Sequence, residues 1–326
     1  MSDSDNYFND ADQLDPLSDA RNTDTITVSS KDDANNLIDT FRSGTATSPW
    51  TSLDRNDVAD RLAQLVDDPH RIQQGSLNLC GPASFFFTWS SRDPVGFINY
   101  ATALFDTGEA TIGTLTVSPS SDLLTQDYAT MADKMSLVSP QADWMVLGAL
   151  RNSTDVFWQG TWEGDPGQKL SAMTRPEELA GWLQATGVFA EVRNEANWGT
   201  AKGIPHATGL SFQQGTDIIL LINANLINAG KGSPMQGDWL LSQFPNHYVV
   251  LLSEIVQNIT NQDIQFKSWS WGTTMVSDRE SPISQPPPPG VEYDSANKGK
   301  SLSVPMQSFV DNYYGAIITK LPAQQQ

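Results

Sequence analysis

The single cysteine of this 326-residue chain stands in the run Gln74-Gly75-Ser76-Leu77-Asn78-Leu79-Cys80-Gly81-Pro82-Ala83-Ser84. A glutamine six residues ahead of a cysteine, with a loop between and an apolar helix after, is an arrangement that makes a nucleophile. The glutamine amide and the cysteine's own N–H can together stabilise an oxyanion. A helix that starts at Cys80 aims its positive end at the sulfur, and this predicts a lowered thiol pKa. A thiolate also needs a base, and the chain offers only three histidines. One of them, His247, heads the apolar run Tyr248-Val249-Val250-Leu251-Leu252, which reads as a strand.

The elements that must position these groups divide the chain. Residues 1–49 carry ten aspartates against three basic residues and read as an acidic, flexible leader, with a helix around Asp33 to Phe41. From residue 50 to about 187 the pattern is helical. Asn56 to Val66 places Val58, Leu62, Leu65 and Val66 on one face. The segment after Cys80 is apolar nearly all round and is expected to be buried on every side. Asp93-Pro94 begins a helix through Phe105 closed by Gly108, and Thr111 to Val117 alternates as a short strand. Ser139-Pro140 opens a helix to Leu150, and Thr174-Arg175-Pro176-Glu177 reads as a capping box before a helix that stops at Gly187.

From about 188 to 326 the pattern changes to strand: Val188 to Val192, Asp217 to Asn225, His247 to Val256, Asp263 to Trp271 and Tyr314 to Thr319, with a short helix from Val304 to Asn312. A glycine-rich loop spans Asn228 to Asp238, and Pro286 to Pro289 forms a polyproline insert. The fold class is therefore α+β: a helical lobe carrying the cysteine, packed on a mainly antiparallel sheet lobe carrying the histidine.

These residues resemble the papain-like cysteine peptidase superfamily, in the manner of a divergent bacterial or effector-type member. Gln74, Cys80 and His247 match its order of oxyanion glutamine, nucleophile and base, and Ser268-Trp269-Ser270-Trp271-Gly272 is similar to its Asn-Ser-Trp-Gly element. Anchored on Trp271-Gly272, the third catalytic position falls on Trp269, whose indole cannot accept a bond from the histidine. Ser270 or Ser268 would orient the ring instead, and Asp263 is the nearest carboxylate. The resemblance implies a thiolate–imidazolium pair that cleaves an amide bond in a protein or peptide. Cell-wall peptide amidase, protein deamidase and acyl transferase use the same groups. The alternative of another class is a binding protein that keeps this fold with a degraded site. An effector toxin of this kind would have a cognate inhibitor or immunity protein.

Composition narrows the partners. A net charge of −19 opposes binding to nucleic acid and to anionic lipid. One cysteine makes neither an internal disulfide nor a thiolate zinc site, and no metal or cofactor is expected. No run reaches the roughly 18 apolar residues of a membrane span. Met1-Ser2-Asp3-Ser4-Asp5 lacks the opening of a signal peptide, so the expectation is a chain made in the cytoplasm and exported, if at all, by a machine that reads no cleavable signal.

Other groups have plainer readings. His70 is structural or surface, and His206, in Gly203-Ile204-Pro205-His206, is the rival base on a loop. Ser84 lacks a Gly-x-Ser-x-Gly elbow, and Glu177-Glu178 suits a helix start better than glycosidase chemistry.

Overall fold

The computed structural model describes residues 28–154, 160–169, 171–228, 245–270, 273–274 and 301–323. The helices are α1 (Val28–Arg42), α2 (Arg55–Asp67), α3 (Cys80–Arg92), α4 (Pro94–Thr107), α5 (Ser121–Leu124), α6 (Tyr128–Lys134), α7 (Gln141–Ser153), α8 (Pro176–Ala185), α9 (Ile204–Thr208), α10 (Asn225–Asn228) and α11 (Met306–Asn312). The strands are β1 (Ala110–Ile112), β2 (Leu115–Val117), β3 (Glu191–Asn194), β4 (Thr216–Ile222), β5 (His247–Leu251), β6 (Val256–Asn258), β7 (Asp263–Ser270), β8 (Thr273–Thr274), β9 (Ser301–Pro305) and β10 (Tyr313–Lys320). Helices dominate before residue 187 and an antiparallel sheet after it, so the class is α+β.

Local chemistry explains the helix ends. Asp54 caps α2 by accepting from the N–H groups of Asn56 and Asp57 at 2.8 and 3.1 Å, and the helix buries Val58, Leu62, Leu65 and Val66 as its period requires. Asp93 caps α4 through Gly96 N–H at 2.8 Å with Pro94 at the first position, and Gly108 ends it in the left-handed conformation. α8 starts one residue later than the Thr174 box implies. Glu178, not Glu177, accepts from the Arg175 N–H at 2.7 Å, because Pro176 takes the first helical position and Thr174 packs elsewhere.

Two readings change in the helical half. The second half of the acidic leader is part of the lobe, since Ala34, Ile38 and Phe41 on α1 are buried in its core. Residues 1–27 lie outside the described residues. Thr111 to Val117 is a hairpin rather than one strand. Gly113 turns it at φ +55°, where a Cβ would lie 1.9 Å from Ala185 O.

The main sheet runs β3-β10-β4-β5-β7-β6, every pair antiparallel, with β8 and β9 also paired to β7. The run expected from His247 to Val256 divides into β5 and β6, and Val188 to Val192 begins pairing only at Glu191. The polyproline insert, most of the glycine-rich loop and Trp271-Gly272 lie outside the described residues.

The sheet has an apolar layer on each face. On one side Ile219, Leu221, Tyr248, Val250, Leu252, Trp269 and Ile317 join the helical core around α3. On the other, Ile218, Leu220, Ile222, Val249, Leu251 and Phe266 pack with α9 and α11 residues such as Ala207 and Phe309. Every residue of β4 and β5 is buried, so Ile218 to Ile222 and Tyr248 to Leu251 read as continuous apolar runs. Among the described residues no helix is long and apolar enough to cross a membrane.

Candidate active site

The loop from Gln73 to Cys80 is pinned before it delivers the sulfur. Asp143 on α7, fully buried, accepts from Arg61 Nε at 2.6 Å and from Gln73 N–H at 2.6 Å. Ser139 Oγ donates to Gln73 O at 2.8 Å, and Ser76 N–H donates to Leu137 O at 3.0 Å. Gly75 makes this approach possible. Its φ is +59°, and a Cβ there would sit 2.4 Å from Leu137 O, closer than any side chain tolerates. Asn78, also left-handed at φ 61°, completes the turn into α3.

Gln74 is 1 % exposed, and its side-chain oxygen has no hydrogen-bond partner. Cys80 is the first residue of α3 and only partly buried. Its Sγ lies 3.8 Å from Asn246 O, and the N–H of Tyr248 also faces it. The thiol therefore sits against the main chain on both sides of His247. Since a carbonyl oxygen and the next nitrogen are two bonds apart, the sulfur is within about 6.5 Å of the His247 nitrogen.

The imidazole points elsewhere. His247 is 3 % exposed, and its Nε2 lies 2.5 Å from Ser270 Oγ, itself fully buried. Alternation along β5 puts Tyr248, Val250 and Leu252 on the α3 side, and His247 with Val249 and Leu251 on the other. Ser270 shares that far face while its neighbour Trp269 faces α3. Of the two serines the sequence offered, Ser270 is the one that meets the ring, but the sulfur's hydrogen bond goes to Asn246 O rather than to the imidazole.

Burial dominates both titrations. It pushes the Cys80 thiol up to about 11, against the opposing N–H groups of Tyr248, Gly81 and Cys80 itself. It holds the His247 imidazole down at about 3. The expectation of a thiol acidified by the helix start is corrected: desolvation outweighs the helix end, and the resting pair is neutral.

The remaining candidates fall into structural roles. Trp269 stacks on Phe87 of α3 with ring centroids 4.3 Å apart, and its indole N–H donates to His70 O at 2.8 Å. His70 pairs through Nδ1 with Asp68 at 3.0 Å and meets Phe87 edge-on. His206 belongs to the short helix α9 rather than a loop, between Tyr313 Oη at 2.8 Å and Glu195 at 3.1 Å. Ser268 is buried on β7, and Asp263 stands at that strand's far end.

The groups that sequence reasoning passed over are Asn78, Thr174, Asn246 and Tyr248, which line a narrow slot with Cys80. Asn246 and Tyr248 flank His247 directly, and strand alternation would have marked Tyr248 as facing away from the histidine. Comparison with protein-family models, with curated proteins and with solved structures finds no match to the chain.

Proposed function

We propose that the chain is a cysteine hydrolase of papain-like plan that cleaves an amide bond in a protein or peptide. One observation carries the reading: the sulfur that begins a buried helix lies between the main-chain groups of Asn246 and Tyr248, beside the chain's strand-head histidine. With both groups neutral at rest, the His247 ring must pivot at the head of β5, about its hydrogen bond to Ser270, before it reaches the sulfur and takes the thiol proton as substrate arrives. The sulfur attacks the carbonyl, and Gln74 with the Cys80 N–H stabilises the oxyanion. His247 returns the proton to the leaving amine, and water then releases the acyl group and restores the thiol. Amidase, deamidase and acyl-transfer variants, and delivery as an effector toxin, are narrower forms of the same proposal.

The neutral pair supports a second reading, a binding protein that keeps the plan without the chemistry. Hydrolysis of a quenched fluorescent peptide library by the parent, Cys80→Ala and His247→Ala proteins separates the two. Turnover by the parent that disappears in both variants is expected. No turnover by the parent, or turnover that survives Cys80→Ala, overturns the hydrolase.

A further inference from the structure

The slot beside Cys80 is lined by donors that lack acceptors. Thr174 is 3 % exposed, and its hydroxyl has no hydrogen-bond partner. It is pressed on the first turn of α3, for a Cβ built on Gly81 would fall 2.4 Å from the Thr174 oxygen. Asn246 is fixed in orientation because its Oδ1 accepts from Ala224 N–H at 2.9 Å. Its Nδ2 is left as a buried donor without a partner. The indole N–H of Trp198 is directed at the Tyr248 phenol and is not one of the free donors. Tyr248 itself is committed, donating to Thr174 O at 2.9 Å.

Unpaired buried donors cost stability, and an oxygen entering the slot, from water or from a ligand, would supply the missing acceptor. The opening turn of the 13-residue helix α3 adds further partial positive charge at the same point. The slot is small. The centre of a water-sized sphere has about 10 Å³ in which to move, room for a single oxygen and not for a ring. An uncharged oxygen suits the slot better than a carboxylate, whose charge would lose its hydration there. Glu178 contributes little net field, being paired with Arg151 and Arg175 at 3.4 and 3.3 Å.

We propose that this slot binds an uncharged amide oxygen carried by the substrate next to the scissile carbonyl, with Thr174 and Asn246 as its donors. The proposal rests on the hydrolase reading for its substrate, but the slot is measured without turnover. Cys80 in the intact protein is alkylated at pH 9 with iodoacetamide, iodoacetate and allyl iodide. Each rate is divided by that of free cysteine, so that thiol acidity cancels between reagents.

The expected result is a preference for iodoacetamide over allyl iodide of about tenfold, the effect of one good hydrogen bond, with none for iodoacetate. Thr174→Val and Asn246→Asp, the latter keeping the acceptor for Ala224, each reduce that preference severalfold while their melting curves remain cooperative. Equal normalised rates in the parent, a preference for iodoacetate, or a preference that neither variant moves overturns the slot. Peptide turnover in the same preparations separates the two ideas. Turnover without the preference removes the slot alone, and the preference without turnover removes the hydrolase alone.

Discussion

Arg92 and Asp217 meet through two parallel hydrogen bonds, Nε to Oδ2 at 3.0 Å and Nη2 to Oδ1 at 3.1 Å, with both side chains essentially sealed from solvent. Arg92 ends the helix that Cys80 begins, and Asp217 lies on β4, which pairs with the strand of His247. The pair anchors the far end of the nucleophile's helix to the sheet. Removing one partner strands the other as a buried charge. Arg92→Ala or Asp217→Ala should cost about 3–5 kcal/mol in chemical denaturation, and the double replacement far less than the sum.

The thiol should behave as a weak acid. With its pKa pushed up to about 11, Cys80 is almost wholly protonated at pH 7. Its iodoacetamide labelling should be slower than that of free cysteine there and should climb steadily from pH 9 to pH 11. A rate already at its plateau by pH 7 would contradict the buried, neutral site.

His247 makes the opposite contribution at low pH. Its folded pKa of about 3 lies below the unfolded value of 6.5, so the unfolded chain binds a proton first as the pH falls. Stability is then lost between about pH 6.5 and pH 3, on the order of 1 kcal/mol for each pH unit. His247→Gln should flatten this limb of the stability curve relative to the parent, measured by urea unfolding at pH 7, 6, 5 and 4.

Placing asparagine at position 269 should not repair the site. Trp269 faces α3 and Phe87, whereas the imidazole shares its face with Ser270. Trp269→Asn removes a fully buried indole and should cost about 3–5 kcal/mol with no gain in peptide turnover. Increased turnover in that variant would show that the ring, once turned toward the sulfur, is oriented from position 269 rather than by Ser270.

Ser270→Ala tests the other half of the same geometry. Loss of the Oγ bond to His247 Nε2 should cost about 1–3 kcal/mol and lower kcat while leaving KM nearly unchanged, as expected of a positioning residue. Ser270→Thr, which keeps the hydroxyl, should recover part of kcat.

Much of this was legible in the chain. The faces of α2, the Asp93-Pro94 start and the Gly108 stop of α4 follow from period and capping chemistry alone. Gln74, Cys80, His247 and Ser270 stand out by residue type and spacing. What could not be read was which way the histidine turns. The run His247-Tyr248-Val249-Val250-Leu251 is buried on both faces, so hydrophobicity carries no mark of which alternate residues meet α3. The thiol's weakness was hidden for a related reason, since a helix start is local but desolvation is set by residues as distant as Thr174 and Asn246. α1 was obscured by aspartates, although Ala34, Ile38 and Phe41 recur at helical spacing within them.

The strand that carries His247 is a party wall between two interiors, with Tyr248 and Val250 on one side and Val249 and Leu251 on the other. Loosening either apolar layer exposes only one side of that wall, while its amide protons remain bonded to β4 and β7 within the plane of the sheet. Apart from Tyr248, whose N–H faces the Cys80 sulfur, exchange of the 249–251 amides with deuterated solvent therefore waits on opening of the whole molecule.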